Sequence, residues 1–326
     1  MGRSTVLPDA RVTPRFAGIP TFCRYPLLSQ VAPENCPVDW AIYGVPFDSG
    51  VTYRPGARFG PRAVRLESQY VKRFSLAHGL DPTQLFSLAD AGDAPVSTYS
   101  PEQNARTVLD FARALGDPAT TRLLAVGGDH SIAYANIAAT FERLGRPAGG
   151  LALLHFDSHL DTVESVWGES WGHASPFFRA ITAGLVNPAL MVSLGVKGPL
   201  NTPDDLKFAA DRGVTIVTAD QLRAPAGAGA IEAFAGQLRQ RGLPAYISFD
   251  IDVVDPAFAP GTGTPSVGGL SSAEALALLR RFAGVPIAGA DVVEVLPDRD
   301  VAGITALLAA HILYEVICLD ARARSG

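Results

Sequence analysis

Cysteine is scarce: the 326 residues hold three, Cys23, Cys36 and Cys318, odd in number, widely spaced and without a C-x-x-C pair. That excludes a disulfide framework and a thiolate metal site, and the three thiols are expected to be reduced and buried. Charge is thin as well, at 18% of residues against the roughly 25% usual for globular chains. Lys plus Arg number 27 and Asp plus Glu 32, a net charge of −5, with no basic stripe suited to a phosphate backbone, so nucleic acid is excluded as a partner. No window approaches the about 18 uninterrupted apolar residues that span a bilayer. Residues 1–20 carry Arg3, Arg11 and Arg15 but no apolar targeting core, so a cytoplasmic protein with no membrane contact is expected. Apolar residues, at 48%, are ample for a large core and exclude a disordered chain.

Residues 1–37 are rich in Pro and Arg without periodicity and read as an irregular arm laid on the body or on a neighbouring subunit. From residue 38 to 326 short apolar runs alternate with helix-period stretches, with no linker between them. The runs at 39–45, 122–126, 151–156, 189–195, 214–218, 245–249 and 287–293 read as strands buried on both faces. Helices are expected at 101–115, 132–144, 175–184, 230–241, 271–283 and 303–319. Strand and helix in alternation predict one α/β domain: a mostly parallel, doubly wound sheet between two helical layers.

Three polar clusters each follow an apolar run. The first is Gly127-Gly-Asp-His-Ser131, where two glycines allow a tight turn, Ser131 is placed to cap the next helix and His130 stands at the sheet rim. The second is His155-Phe-Asp-Ser-His-Leu-Asp161. On extended backbone Asp157, His159 and Asp161 project to one side, with Phe156, Ser158 and Leu160 pointing away. Such groups repel one another at the end of a buried strand unless a cation holds them. The third is Ser248-Phe-Asp-Ile-Asp252, whose Asp250 and Asp252 share a face and also suit an acid/base dyad holding one proton. Together the clusters offer four carboxylates and two imidazoles, more than one ion needs. Oxygen-rich ligation without thiolate suits two hard divalent ions, Mn²⁺ first, with Ni²⁺, Co²⁺ or Fe²⁺ as alternatives and Zn²⁺ less natural. Two such ions about 3.5–4 Å apart lower the pKa of a shared water, and the implied chemistry is hydrolysis.

At this point the chain resembles the ureohydrolases, the family of arginases and agmatinases, and most of all its agmatinase-like branch. The likeness rests on Gly44-Val-Pro-Phe-Asp-Ser-Gly50, 53–65, 127–131, 156–161, His173-Ala-Ser-Pro-Phe177, 248–270 and Asp291-Val-Val-Glu-Val295, spread over nearly the whole chain. The resemblance implies a three-layer α/β/α arginase-like fold with two manganese ions that cleaves guanidino groups to urea and an amine. It implies that His130, Asp157, Asp161 and Asp250 ligate one ion and Asp157, His159, Asp250 and Asp252 the other. It further implies that His173 shuttles a proton and Glu294 grips the guanidinium, a carboxylate there being able to accept two parallel N–H bonds. Trimers or hexamers are usual in the family, so a homo-oligomer, or a complex with a paralogue, is expected.

His155 reads as support for the ligand run, His78 as a surface residue and His311 as a satisfied core histidine. Ser158 stands where the family usually has Ala, and His173-Ala-Ser-Pro176 where it has His-Gly-Thr-Pro. In the segment 162–172, Trp167 and Trp171 are candidates for the wall around the substrate tail, or for packing the loop, and Glu164 or Glu169 for facing an amine. Lys197 suits either a solvated surface position or a tail carboxylate. Agmatine is the first substrate expected, followed by a guanidino acid, guanidine or an N-alkylguanidine. Two rivals stay open: a non-catalytic partner subunit of an active paralogue, and a metal-dependent hydrolase of acylated amines.

Overall fold

The computed structural model describes residues 3–325. Eight strands form one sheet: β1 (Trp40–Val45), β2 (Leu88–Asp93), β3 (Arg122–Gly127), β4 (Leu151–Phe156), β5 (Val186–Val196), β6 (Thr215–Thr218), β7 (Ala245–Asp250) and β8 (Ile287–Val293). Their order across the sheet is β2-β1-β3-β8-β7-β4-β5-β6, all pairings parallel. Seven of the eight were legible as apolar runs. The eighth, β2, reads Leu-Ala-Asp-Ala-Gly-Asp; as an edge strand it is buried only over its first half, so its sequence carries no continuous apolar signal.

The helices are α1 (Gly60–Glu67), α2 (Pro101–Ala114), α3 (Ala133–Arg143), α4 (Pro176–Thr182), α5 (Lys207–Asp211), α6 (Ala219–Leu222), α7 (Pro225–Arg241), α8 (Ser272–Arg280) and α9 (Ile304–Ser325). Their ends follow local chemistry. Ser100 accepts from the Gln103 amide to open α2, Ser271 and Glu274 form a reciprocal capping box on α8, and Gly242 closes α7 in the left-handed conformation. The strands feed two cores by strict alternation. In β4, Ala152, Leu154 and Phe156 face α7, α8 and α9, while Leu151 and Leu153 face α3 and α4. In β7, Ala245, Ile247 and Phe249 take the first side and Tyr246 the second. The expected three-layer α/β/α architecture follows from that alternation.

The arm lies on its own domain near both ends. Thr5 bonds the carbonyls of Thr83 and Phe86, and Phe22, Cys23 and Tyr25 are buried in the larger core. Residues 10–20 are exposed apart from Arg15. Cys23 and Cys318 are buried as expected, but Cys36 is exposed, because it sits in the last turn of the arm before the first strand.

By length and composition α9 could cross a membrane, yet 83% of its most apolar window is buried inside this chain, against α1, α8 and β8. On it, the expectations for two histidines are reversed. The turn joining Ser75 and Leu80 folds over α9, which tucks His78 against Glu315, while His311 falls on the exposed face. Arg280 adds two bonds to Glu315, each 2.9 Å. Burial raises the Glu315 carboxyl, but the His78 and Arg280 bonds outweigh it and hold the group below its ordinary 4.5. A depressed carboxyl stabilises the fold above its ordinary pKa, and that contribution fades as pH falls through it. Glu315→Gln is therefore expected to lower the unfolding free energy by about 1–3 kcal/mol at neutral pH, with the gap from wild type narrowing below pH 4.5. Urea melts at the two pH values measure this; a gap independent of pH contradicts the pairing.

Candidate metal centre and active site

The four central strands, β3, β8, β7 and β4, end side by side, and the segments that carry the six candidate ligands, His173 and Glu294 follow those C-terminal ends. After β3 the chain turns through Gly127 and Gly128, where a Cβ on Gly128 would collide with the Phe47 carbonyl. The cap of the following turn is Asp129, whose carboxylate accepts the Ser131 amide; Ser131 itself does not cap. His130 is fully buried rather than at an open rim, its ring wedged against His155 and Phe177.

Extended geometry fails past β4, which stops at Phe156; Asp161 then takes a left-handed φ of 51°. The ligand run is a turn, so Ser158 does not point away but bonds Asp252. Past β7 the same happens: 251–253 form a 3₁₀ turn in which the Asp252 amide bonds Asp250 Oδ1 at 2.8 Å. These turns bring the candidates together in two groups. His130 Nδ1 lies 3.2 Å from Asp157 Oδ2, 2.9 Å from Asp161 Oδ2 and 3.3 Å from Asp250 Oδ2. His159 Nδ1 lies 3.3 Å from Asp157 Oδ1 and 3.1 Å from Asp252 Oδ2. Asp157 thus gives one oxygen to each group, whereas Asp250 stands with the first.

The donor set fits two divalent cations. His130 Nδ1 is buried and has no hydrogen-bond partner, although three carboxylates ring it. Its other nitrogen is occupied: Nε2 meets Ser248 Oγ at 2.8 Å, Ser248 donates to Asp291, and Tyr246 donates to the other Asp291 oxygen. That chain fixes the ring with Nδ1 facing the carboxylates. Asp157, Asp161, Asp250 and Asp252 carry four negative charges, which two divalent ions balance. Electrostatics reflect the crowding. Burial opposes a proton on His159, but the charge of Asp252 and the bonds to Asp157 lift its pKa to about 12. The Asp250 carboxyl is raised well above its ordinary value, by burial and then by Asp252. His155 stands behind Asp157, with Nε2 on Oδ2 at 2.9 Å and Nδ1 on Ser193 Oγ at 3.0 Å.

Beside the ligands, His173 Nδ1 donates to Glu294 Oε1 at 2.9 Å, and Nε2 accepts the Thr52 amide at 3.0 Å. Burial works against a charged imidazole at His173, but the bond and charge of Glu294 raise its pKa to about 9. Glu294 Oε1 also takes the His130 amide. Only Oε2, buried and without a partner, remains for a ligand, so the two-bond grip expected for Glu294 is reduced to one oxygen. Glu294 holds a left-handed φ of 63°, an unfavourable state for a residue with a side chain and one that accumulates at functional sites.

A cavity of about 620 Å³ opens over these groups, lined by His159, Asp161, His173 and Asp250 at its base. Leu160, Val163, Val166 and Leu206 line its walls, and Trp167, 86% exposed, stands at its mouth. Trp171 is not in the wall: its ring packs edge-on against Tyr134, and the Arg179 guanidinium lies 3.8 Å over it. The loop folds Trp171 back against α3 and α4, which uses its apolar surface there. Glu164 and Glu169 stay outside the cavity too, Glu169 accepting the Trp171 amide; the wall carboxylate is Asp205. Sequence reasoning missed Asp205, Thr52, Ser193 and the Ser248–Asp291–Tyr246 chain. Asp291 lay within a matched motif and Thr52 beside one, whereas Asp205 had no local signal.

Residues 38–319 match the model of the arginase family, and the chain belongs to that family. It is similar to a guanidinopropionase of Pseudomonas aeruginosa, with 41% identity over 98% of this chain and 97% of the relative. It is also similar to a mitochondrial agmatinase of Gallus gallus, with 38% identity over 97% and 90% of the two chains. The solved proclavaminate amidinohydrolase of Streptomyces clavuligerus superposes with a TM-score of 0.85 at 39% identity, covering 95% of this chain and all of that one.

Because Glu294 is what raises His173, Glu294→Gln in the metal-free protein is expected to bring the His173 pKa from about 9 toward its ordinary 6.5. Histidine NMR titration reads this; an unmoved value contradicts the pairing.

Proposed function

We propose that the chain is a metal-dependent amidinohydrolase that cleaves a small guanidino compound to urea and an amine. The observation that carries this is His130 Nδ1, without a hydrogen bond inside three carboxylates and joined through Asp157 to Asp252 and to His159, which lines the cavity with Asp161 and Asp250. His130, Asp157, Asp161 and Asp250 would hold one divalent ion and Asp157, His159 and Asp252 the other, Mn²⁺ being the first choice for this oxygen-rich set. When bound, the two ions supply a water-derived nucleophile at neutral pH and neutralise charge that develops at the guanidino carbon. Glu294 Oε2 accepts an N–H of the guanidinium and so orients its plane. His173, held between Glu294 and Thr52 next to the ligand Asp161, carries the proton to the departing nitrogen.

Agmatine is the substrate this cavity favours. Its wall includes the carboxylate of Asp205 and, among the described residues, no Lys or Arg, so it offers attraction to a tail amine and none to a tail carboxylate. A second reading, a guanidino acid, is favoured by the similarity to the Pseudomonas aeruginosa guanidinopropionase. Urea release by the Mn²⁺-loaded protein from agmatine, guanidinobutyrate, guanidinopropionate, arginine, guanidine and methylated guanidines, repeated with Ni²⁺, separates them. The highest kcat/KM is expected with agmatine, and a preference for either guanidino acid selects the second reading. Asp205→Asn is expected to raise the KM for agmatine about fivefold with kcat held, the scale of a partly exposed ion pair. Asp157→Ala is expected to abolish turnover and lose metal together, as read by elemental analysis; near-normal turnover with full metal content contradicts the assignment.

A further inference from the structure

Lys197 does not reach toward the substrate cavity. It leaves the end of β5, lines a separate small cavity, and places Nζ 2.8 Å from Ser158 Oγ and 2.7 Å from the Asp252 carbonyl. Ser158 in turn gives Asp252 Oδ1 two donors, its amide at 3.0 Å and its hydroxyl at 2.7 Å. The remaining oxygen, Oδ2, is the one facing His159. The polarity of this network follows from proton counting. A hydroxyl has one proton, and an ammonium group only donates. Lys197 therefore fills a lone pair of Ser158 Oγ and also serves the Asp252 carbonyl, which Ser158 Oγ approaches at 2.9 Å; the Ser158 proton takes the shorter path, to Asp252 Oδ1. The backbone locks the same pieces: the Lys197 amide bonds the Ser158 carbonyl at 3.1 Å. Gly195, at φ 102°, lets β5 approach so closely that a Cβ there would strike Val253 and press on the Asp157 carbonyl.

Resting on the two-ion reading above, we propose that Ser158 and Lys197 are positioning residues for the ion held by His159 and Asp252. They pin Asp252 Oδ1 and so present Oδ2 alone as the ligand atom. The hydrogen bonds of the Ser158 and Lys197 side chains go to each other and to Asp252, and none reaches His130, Asp161, Asp250 or the Asp157 carboxylate, so the brace acts on one of the two ions. Two donors on one oxygen lower its basicity, but the ligating oxygen is the other one, and the dominant effect is to hold that oxygen in place. Loss of such outer hydrogen bonds typically costs 10–100-fold in metal affinity.

The test is Mn²⁺ binding to the metal-free full-length protein, followed by calorimetry and by the spin-coupled Mn–Mn signal in EPR at stoichiometric metal. The variants are Ser158→Ala and Lys197→Met. Wild type is expected to bind two ions. Ser158→Ala is expected to weaken the second about tenfold, leave the first unchanged, and convert the coupled signal to a mononuclear one at stoichiometric metal. Lys197→Met keeps the Ser158 hydroxyl but frees its orientation, and is expected to weaken the same ion by a smaller factor; it carries the test if the metal-free Ser158→Ala protein melts below wild type. Two ions bound with wild-type affinities in both variants overturn the brace. Equal weakening of both ions also overturns it, and a wild type that binds one ion overturns the two-ion reading and the brace with it.

Discussion

Four carboxylates buried within a few ångströms of one another are the constraint around which the rest of this molecule is arranged. Asp157, Asp161, Asp250 and Asp252 would expel each other from any apolar interior left to itself. The protein answers with hydrogen-bond donors at three of them, Asp157, Asp250 and Asp252. Backbone amides of His159 and Asp252 bond Asp157 and Asp250, Ser158 bonds Asp252, and imidazoles stand against Asp157 on three sides. Even so, His130 Nδ1 makes no hydrogen bond among the carboxylates that ring it, and that is the strongest argument for divalent cations.

The sheet order turns this local problem into an architecture. The chain builds strands outward from both sides and leaves the middle for β8, so that β3, β8, β7 and β4 deliver their loops to one crevice. Each loop then departs from extended geometry within about a turn of the strand end. Those departures, the left-handed Asp161 and Glu294 and the 3₁₀ turn at 251–253, bring the ligand loops together and turn toward Asp252 the Ser158 side chain that period-two reasoning points away.

How much of this was legible in the sequence follows from the range of the forces involved. The buried strands were readable because alternation into two cores requires continuous apolar runs. The clustering of Asp and His was readable because such groups after buried runs are too costly to bury together without a cation. What failed was whatever depended on contacts distant in sequence. Edge strand β2 needed no apolar run, and Trp171 found Tyr134 and Arg179 instead of the cavity. His78 was covered by a helix more than 200 positions later in the chain. Lys197 looked like a surface cation or a carboxylate anchor until the end of β5 was seen to run beside the Asp252 turn.

The central place of β8 has a further consequence, for the order in which the molecule can be made. Before residues 287–293 emerge during synthesis, β2-β1-β3 and β7-β4-β5-β6 are two separate sheets, because β8 is the strand that pairs with both β3 and β7. His130 belongs to the first sheet, and every other ligand to the second. The nascent chain therefore holds the two halves of its metal site on bodies that have no shared sheet edge until its last tenth is translated. Joining them is a long-range, high-contact-order event that comes late in folding. A chain cut short before β8 keeps much of its apolar surface and most of its carboxylates but has no place where they meet His130, so capture of both ions marks a molecule that has been completed.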